Sequence, residues 1–277
     1  MKRVALATCQ ALPEPDHDEA PLLAALRGLG VSADMLAWDD PAADPAAYDL
    51  VVVRSTWNYI HDLPGFRAWL KRAGDATRLA NPADVMSWNC DKSYLFELSA
   101  AGVPVVPTVN VSRGTWPALD RLPWEDLVVK PRVGAASFAT KRFPPGHRVQ
   151  AEAFLRETCS ARDMLVQPYV PSVDGHGERS LVWVGGELTH SVRKNPRLAG
   201  GDESVSEALP PEADERAFVE RVLAPRRQGL LYARVDVARA EDGTLMLMEL
   251  ELVEPSLFLK QCPPALERFA RAIEAYG

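Results

Sequence analysis

Cysteine is scarce and dispersed in this chain. Its four thiols, Cys9, Cys90, Cys159 and Cys262, form no CxxC pair and have no histidine at ligand spacing, which excludes a zinc module and a disulfide framework. No apolar run nears the roughly 20 residues of a membrane span, and the first residues lack the apolar core and cleavage site of a signal peptide. A cytoplasmic protein is expected. Basic runs are also missing. With 31 Lys and Arg against 38 Asp and Glu, a net charge of -7, neither nucleic acid nor an anionic membrane is an expected partner. No GxGxxG follows the first strand pattern, which disfavours a dinucleotide fold. No GxSxG surrounds Ser55, Ser137 or Ser256, so serine-hydrolase chemistry has no support, and the five histidines show no metal spacing. No internal repeat is present.

What the chain has is length and apolar content. Its 277 residues, 47% of them hydrophobic, suffice for two or three subdomains with separate cores. The first third alternates, with strand 3–7, helix 19–29, strand 33–38 and an apolar strand 50–54, which fits a parallel sheet. Ligands of open α/β sheets bind beyond the carboxyl ends of strands. Arg54, Ser55, Thr56 and Trp57 end that last strand and are therefore substrate-pocket candidates. Helices are expected at 65–72 and 93–101, the second stopped by Gly102 and Pro104. A small α+β unit follows, with strands at 105–111, 126–130 and 137–143 and a helix at 149–158. Beyond it lie strands at 164–169, 180–184 and 187–193 and helices at 214–224 and 264–276. Gly200-Gly201 and Pro210-Pro211 mark loops.

Residues 231–252, LYARVDVARAEDGTLMLMELEL, carry the most information. Both halves alternate with a period of two about Asp242-Gly243, a two-residue hairpin signal. That turn sets Asp236 opposite Glu249 and Arg234 opposite Glu251. These four side chains share one face, with Val235, Val237, Met248 and Leu250 on the other. Carboxylates facing each other on adjacent strands repel, and a hard divalent cation removes that cost. A solvated antiparallel face with incidental charges is the plain alternative.

Four further segments are Asp91-Lys92, VVKP at 128–131, MLVQPYV at 164–170 and GERSLVWVGGELTHSVRKNP at 177–196. With Arg234-x-Asp236 and Glu249-x-Glu251, in this order, they resemble the ATP-grasp superfamily, in its glutathione-synthetase-like branch, over about residues 85–260. The resemblance implies an ATP-grasp fold of mixed α/β and α+β class. Its parts would be an N-terminal pre-ATP-grasp α/β substrate domain at 1–90, a small central lid subdomain at 91–165 and a C-terminal catalytic subdomain at 166–277. It implies ATP and Mg2+ as cofactors, with Lys130 and Lys92 reaching ATP phosphates. Gln167, Tyr169 and Val170 would form the hinge that reads adenine, and Glu178 would contact ribose hydroxyls. Asp236, Glu249 and Glu251 fall on metal positions.

Arg234 and Arg193 are the catalytic candidates, on the transferring phosphate, and Lys194, Pro255 and Ser256 join residues 54–57 as substrate candidates. Two features depart from the common pattern. Glu251 stands where Asn is usual and can instead pair with Arg234, and RVGAAS at 132–137 has one glycine where many members have two or more. Residues 249–258, residues 54–57 and the acidic start PEPDHDEAPLLAAL also resemble a small group near the D-cycloserine-forming cyclo-ligases. That group closes an amine or amino-oxy nitrogen onto a carboxylate of the same molecule. The expected activity is an ATP-dependent carboxylate-amine ligase working through an acylphosphate on a small amino-acid-like substrate. The alternatives are a small-molecule phosphotransferase on the same nucleotide site and a non-catalytic nucleotide-binding module.

Overall fold

Leu50–Ser55 is buried along its whole length, so its sheet must be covered on both faces. Strands β1 (Arg3–Thr8), β2 (Ser32–Ala37), β3 (Leu50–Ser55) and β4 (Arg78–Ala80) form a parallel sheet in the order β2-β1-β3-β4. Alternate residues feed different cores, because successive side chains point to opposite faces. Val4, Leu6, Leu50 and Val52 pack with helices α1 (Glu19–Gly28) and, from the far end of the chain, Pro263–Ala275. Ala5, Ala7, Val51 and Val53 pack with α2 (Leu63–Ala76) through Phe66, Trp69, Leu70 and Ala73. The structure describes residues 1–116, 118–195 and 204–276, so Gly200-Gly201 and Pro196 lie outside the described residues.

Helices α3 (Ala83–Asn89) and α4 (Tyr94–Ala100) lead to a second, antiparallel sheet of order β5-β8-β6-β7. Its strands are β5 (Val109–Val111), β6 (Leu127–Pro131), β7 (Lys141–Phe143) and β8 (Met164–Pro168), covered by α5 (Arg148–Cys159). Ala151, Leu155 and Cys159 recur every four residues and form the buried stripe of α5. The expected strand at 105–111 is shortened, since Pro107 cannot donate to a ladder. The one at 137–143 begins only at Lys141, because Ala136, Ser137 and Ala139 adopt left-handed backbone at φ 48, 58 and 49°.

After the short helix α6 (Ser172–Gly175) comes a third, antiparallel sheet, of order β11-β10-β9-β12-β13. It consists of β9 (Glu178–Val184), β10 (Glu187–Asn195), β11 (Ser204–Val205), β12 (Tyr232–Arg239) and β13 (Leu245–Glu251). Helix α7 (Ala213–Leu223) covers one face, and α8 (Pro263–Ala275) returns to the first sheet on the other. No helix among the described residues is long and apolar enough to cross a membrane.

The β12-β13 hairpin pairs Arg234 with Glu251 and Asp236 with Glu249, as the alternation requires. Its turn differs from expectation. Ala240 and Thr244 pair and enclose three residues, with Gly243 at φ 87°. That would slip the register by one, but a bulge between Asp236 and Val237 leaves Met248 as the extra residue and restores it. Met248 consequently borders the cleft instead of lying on the far face with Val235.

Strand β13 lies at the sheet's edge, and the chain closes that edge without a full strand. Leu247 exchanges backbone hydrogen bonds with Pro104 and Val106. Farther along, the Tyr94 hydroxyl accepts from the Leu250 N–H at 3.0 Å. The Asn89 amide donates to Leu250 O at 2.9 Å and accepts from Leu252 N–H at 2.7 Å.

Candidate active site

Residues of the second and third sheets, with Glu14, Trp57 and Tyr59 from segments that follow strands of the first, line one cleft. Val106, Val128, Tyr169, Val170, Val173, Met246 and Met248 form an apolar cluster along one wall. The hinge narrows the choice of hydrogen-bond donors there. Pro168 has no N–H, the Tyr169 N–H is bonded to Asp126 O at 2.8 Å, and Gln167 donates from its side chain to Thr108 Oγ1 at 2.8 Å. Val170 N–H makes no hydrogen bond among the described residues. Tyr169 is braced on the outside, where its hydroxyl donates to Asp174 and the Arg142 guanidinium stacks 3.3 Å from its ring centre.

Beyond the apolar wall the lining becomes charged. Lys92, Lys130, Lys194 and Arg234 line the cleft together with Glu178, Glu249 and Glu251. Lys92 Nζ donates to Gly134 O at 2.7 Å and lies 3.0 Å from Glu249 Oε1. Lys194 Nζ sits 2.6 Å from Glu178 and 3.0 Å from Asp236. Arg234 holds Asp236 with two hydrogen bonds, at 2.9 and 2.8 Å, and pairs with Glu251. Asp236 is only 1% exposed, so it lies beneath the lining rather than on it.

The electrostatics follow from burial and these partners. Burial alone would raise the Asp236 carboxyl, but Arg234 and Lys194 outweigh it and hold that group well below the usual range. Burial likewise opposes ionisation of Glu249, and the Lys92 and Lys130 charges override it. Glu251 goes the other way. Burial, reinforced by Glu249 and Asp236 and only partly offset by Arg234, pushes it to about 8. Burial raises Glu178 too, against the pull of Lys194. Among the described residues no three Asp, Glu, His or Cys side chains are grouped closely enough to hold a metal alone. Mg2+ commonly takes one or two carboxylates and completes its shell with phosphate oxygens and water. The hard oxygen donors of Glu249 and Glu251 therefore fit a metal that arrives with a nucleotide.

Several catalytic and substrate candidates lie elsewhere than expected. Arg193 does not line the cleft, for a reason already present in the strand period: neighbours on β10 face opposite sides, and Lys194 takes the cleft side. The Arg193 side chain instead packs over Gly177, whose added Cβ would fall 2.3 Å from Arg193 Cγ. Arg54 is 2% exposed and is absent from the lining. Its guanidinium lies 4.0 Å from Asp18 and over the rings of Tyr232 and Phe269 at 5.6 and 5.7 Å. Asp18 in turn accepts the N–H groups of Leu257, Leu259 and Lys260. Ser55 bonds Thr8 at 2.9 Å, and Thr56 is buried with its hydroxyl unpaired among the described residues. Pro255 does not line the cleft, whereas Trp57 and Ser256 do.

Glu14, Tyr59, Asn89, Tyr94 and Glu254 also line it and were not singled out as site residues from the sequence. For Glu254 the signal was its place just beyond the Glu249-x-Glu251 pair. The contacts of Asn89 and Tyr94 are long-range, and no local pattern announces them.

Residues 4–81 match the family model described as the N-terminal domain of D-cycloserine synthetase DcsG. The cycloserine biosynthesis protein DcsG of Streptomyces lavendulae is 34% identical over 279 residues, covering 93% of each chain. A crystal structure of D-cycloserine synthetase DcsG superposes with a TM-score of 0.88 at 32% identity, over 99% of this chain and 100% of that one. The ATP-grasp ligase PsnB, in a complex with minimal precursor, Mg and ADP, shares the fold at 17% identity and a TM-score of 0.65, over 98% of each chain. So does a RimK-domain ATP-grasp protein of Sphaerobacter thermophilus, at 20% identity and 0.71 over 99% of each. With a relative so similar along nearly its whole length, and a cleft of this make-up, the chain belongs to the D-cycloserine synthetase group of the ATP-grasp superfamily and is an ATP-dependent ligase.

Proposed function

We propose that this ligase activates the carboxylate of a small amino-acid-like molecule with ATP and closes it onto a nitrogen of the same molecule, a reading supported by its likeness to a protein named D-cycloserine synthetase. The observation that carries the reading is Lys130. It is 9% exposed and lines the cleft, and its ammonium makes no hydrogen bond or ion pair among the described residues. A buried cation of this kind calls for an anionic ligand, and a polyphosphate supplies one.

In this reading the base lies against the apolar wall and takes the free Val170 N–H, with Gln167 and Tyr169 beside it. Glu178 serves the ribose, while Lys92 and Lys130 hold phosphate oxygens. The substrate carboxylate attacks the γ-phosphorus, the bond to the bridging oxygen breaks and ADP leaves. The nitrogen then attacks the acyl carbon, loses its proton and expels phosphate. Arg234 keeps positive charge beside the transferring group. Magnesium held by Glu249 and Glu251, over the buried charge of Asp236, would neutralise phosphate charge when bound. Lys194, Trp57 and Ser256 border the substrate end. The residues of 1–90 act as the substrate domain, those of 91–165 as the lid and those of 166–277 as the catalytic part. The reaction belongs in the cytoplasm, where ATP is supplied and free thiols such as Cys9 and Cys90 persist.

Substrate-dependent release of ADP and phosphate, with mass detection of a product one water lighter than the substrate, tests the reading. ADP release with phosphate retained on the product would make the chain a phosphotransferase. No ADP with any amino acid or amino-oxy acid would sink the reading.

A further inference from the structure

The hinge at the apolar wall has few backbone bonds of its own. Pro168 and Pro171 carry no N–H, so across residues 168–171 the only amide that donates among the described residues is that of Tyr169, to Asp126 O at 2.8 Å. A segment so thinly bonded moves unless side chains hold it. Here one side chain does most of the holding. Arg142 grips the Asp126 carboxylate with two hydrogen bonds, at 3.1 and 2.8 Å, and lies 3.7 Å from Asp174. Its guanidinium stacks on the buried Tyr169 ring, whose hydroxyl donates to the same Asp174. Asp126 therefore meets the hinge through its backbone and Arg142 through its carboxylate, while Asp174 meets both the tyrosine and the arginine.

This brace reaches the apolar wall at two points. Arg142 on β7 pairs with Val128 on β6, and Val128 with Gln167 on β8, so the three side chains share a face of the second sheet. Val128 and Gln167 line the cleft, and Arg142 stands beside them on the edge strand. Asp174 follows Val173, which packs into the wall and donates its N–H to Val170 O at 3.0 Å. The unbonded Val170 N–H is thus flanked by a ring stacked on Arg142 and by a turn whose Asp174 lies beside the same guanidinium.

We propose that Arg142 is a positioning residue for the nucleobase, holding the hinge so that the Val170 N–H meets a ring nitrogen of the base in a fixed place. The inference rests on the placement of the base against the apolar wall above and deepens it. Arg142 acts through Tyr169 and Asp126. A hydrogen bond from a donor already in place binds better than one from a donor that must first be ordered. Arginine suits the task because its planar fork fits a carboxylate and its face fits a ring, whereas lysine would supply the charge alone.

The test compares ADP with ribose 5-diphosphate, which lacks only the base. Dissociation constants come from calorimetry with Mg2+ on the protein alone, so no acid substrate is needed. Arg142→Met should weaken ADP by about tenfold, with ribose 5-diphosphate held within about twofold. Arg142→Lys should recover only part of the loss, because it restores the charge without the fork or the stacking face. Tyr169→Phe removes only the bond to Asp174 and should weaken ADP by about threefold, again with little change for ribose 5-diphosphate. If Arg142→Met does not fold, the Lys and Phe variants carry the comparison.

Equal losses on both ligands would show that Arg142 acts through the 132–140 loop before it or through the fold as a whole, and would overturn the inference. Unchanged affinity for ADP would overturn it too, since the hinge would then hold itself. A wild-type protein that binds ADP no more tightly than ribose 5-diphosphate would remove the base from the apolar wall, and the inference with it, while leaving the ligase chemistry intact.

Discussion

The segment that carries Lys92 and the strand that carries Lys130 bring the same side chain to the same cleft, at 7% and 9% exposure, in opposite electrostatic states. Lys92 is committed. Burial would lower its pKa, but Glu249 overrides that and raises it, and its ammonium also holds the Gly134 carbonyl. Lys130 has no such partner among the described residues, and burial leaves its pKa lowered despite the pull of Glu249. The difference teaches how one cleft combines framework and function. One lysine joins the loop after β6 to β13, and the other is held at a cost that only an anionic ligand removes.

The largest effect is expected at the uncommitted residue. Lys130→Met should lower kcat/KM for ATP by about a thousandfold, since it removes a preorganised cation from the proposed phosphate site. It should leave the melting temperature unchanged or higher. Lys92→Met should lower kcat/KM by about a hundredfold and should also destabilise the fold by about 2 kcal/mol, because the half-buried Glu249 loses its charged hydrogen-bond partner. Melting curves that move the same way for both variants would erase the distinction.

Titration sharpens it further. A lysine whose folded pKa lies below 10.5 costs stability at neutral pH, and that cost fades as pH rises toward 10.5. The stability gap between the wild-type protein and Lys130→Met should therefore shift in favour of the wild type over that range. Lys92, raised above 10.5, contributes stability that persists to 10.5 and is lost above it. Denaturant midpoints measured from pH 7 upward for the three proteins check both signs.

Smaller effects belong to residues that neither bind nor react. Arg54→Met should cost about 2 kcal/mol, through loss of the Asp18 pair and the stacking on Tyr232 and Phe269, and should leave KM for ATP within twofold. A KM rise for the acid with no change in stability would restore Arg54 to the substrate pocket. Gly243→Ala should cost about 1 kcal/mol, because φ at 87° strains an L side chain, with no change in kinetics.

These residues also mark how far the sequence could be read. The pairing of Arg234 with Glu251 and of Asp236 with Glu249 was legible because the strand period is strict. The three-residue turn and the Met248 bulge were not, since Asp-Gly serves either hairpin length and the two departures cancel at the charged end. Arg193 and Lys194 could not both face the cleft, and the period already contained that choice. Arg54 is different. The strand-end rule places backbone, and whether a side chain turns into the cleft or into the core depends here on Asp18, far away in the chain.

The closed edge of β13 bears on how copies of this chain meet one another. Open sheet edges template further strands, and a hairpin rich in Leu and Met would be a good template. Asn89 and Tyr94 occupy the backbone groups that an incoming strand would need. Two side chains from α3 and α4 thus hold the Leu250 and Leu252 backbone groups that a further strand would pair with, and the same two residues line the cleft.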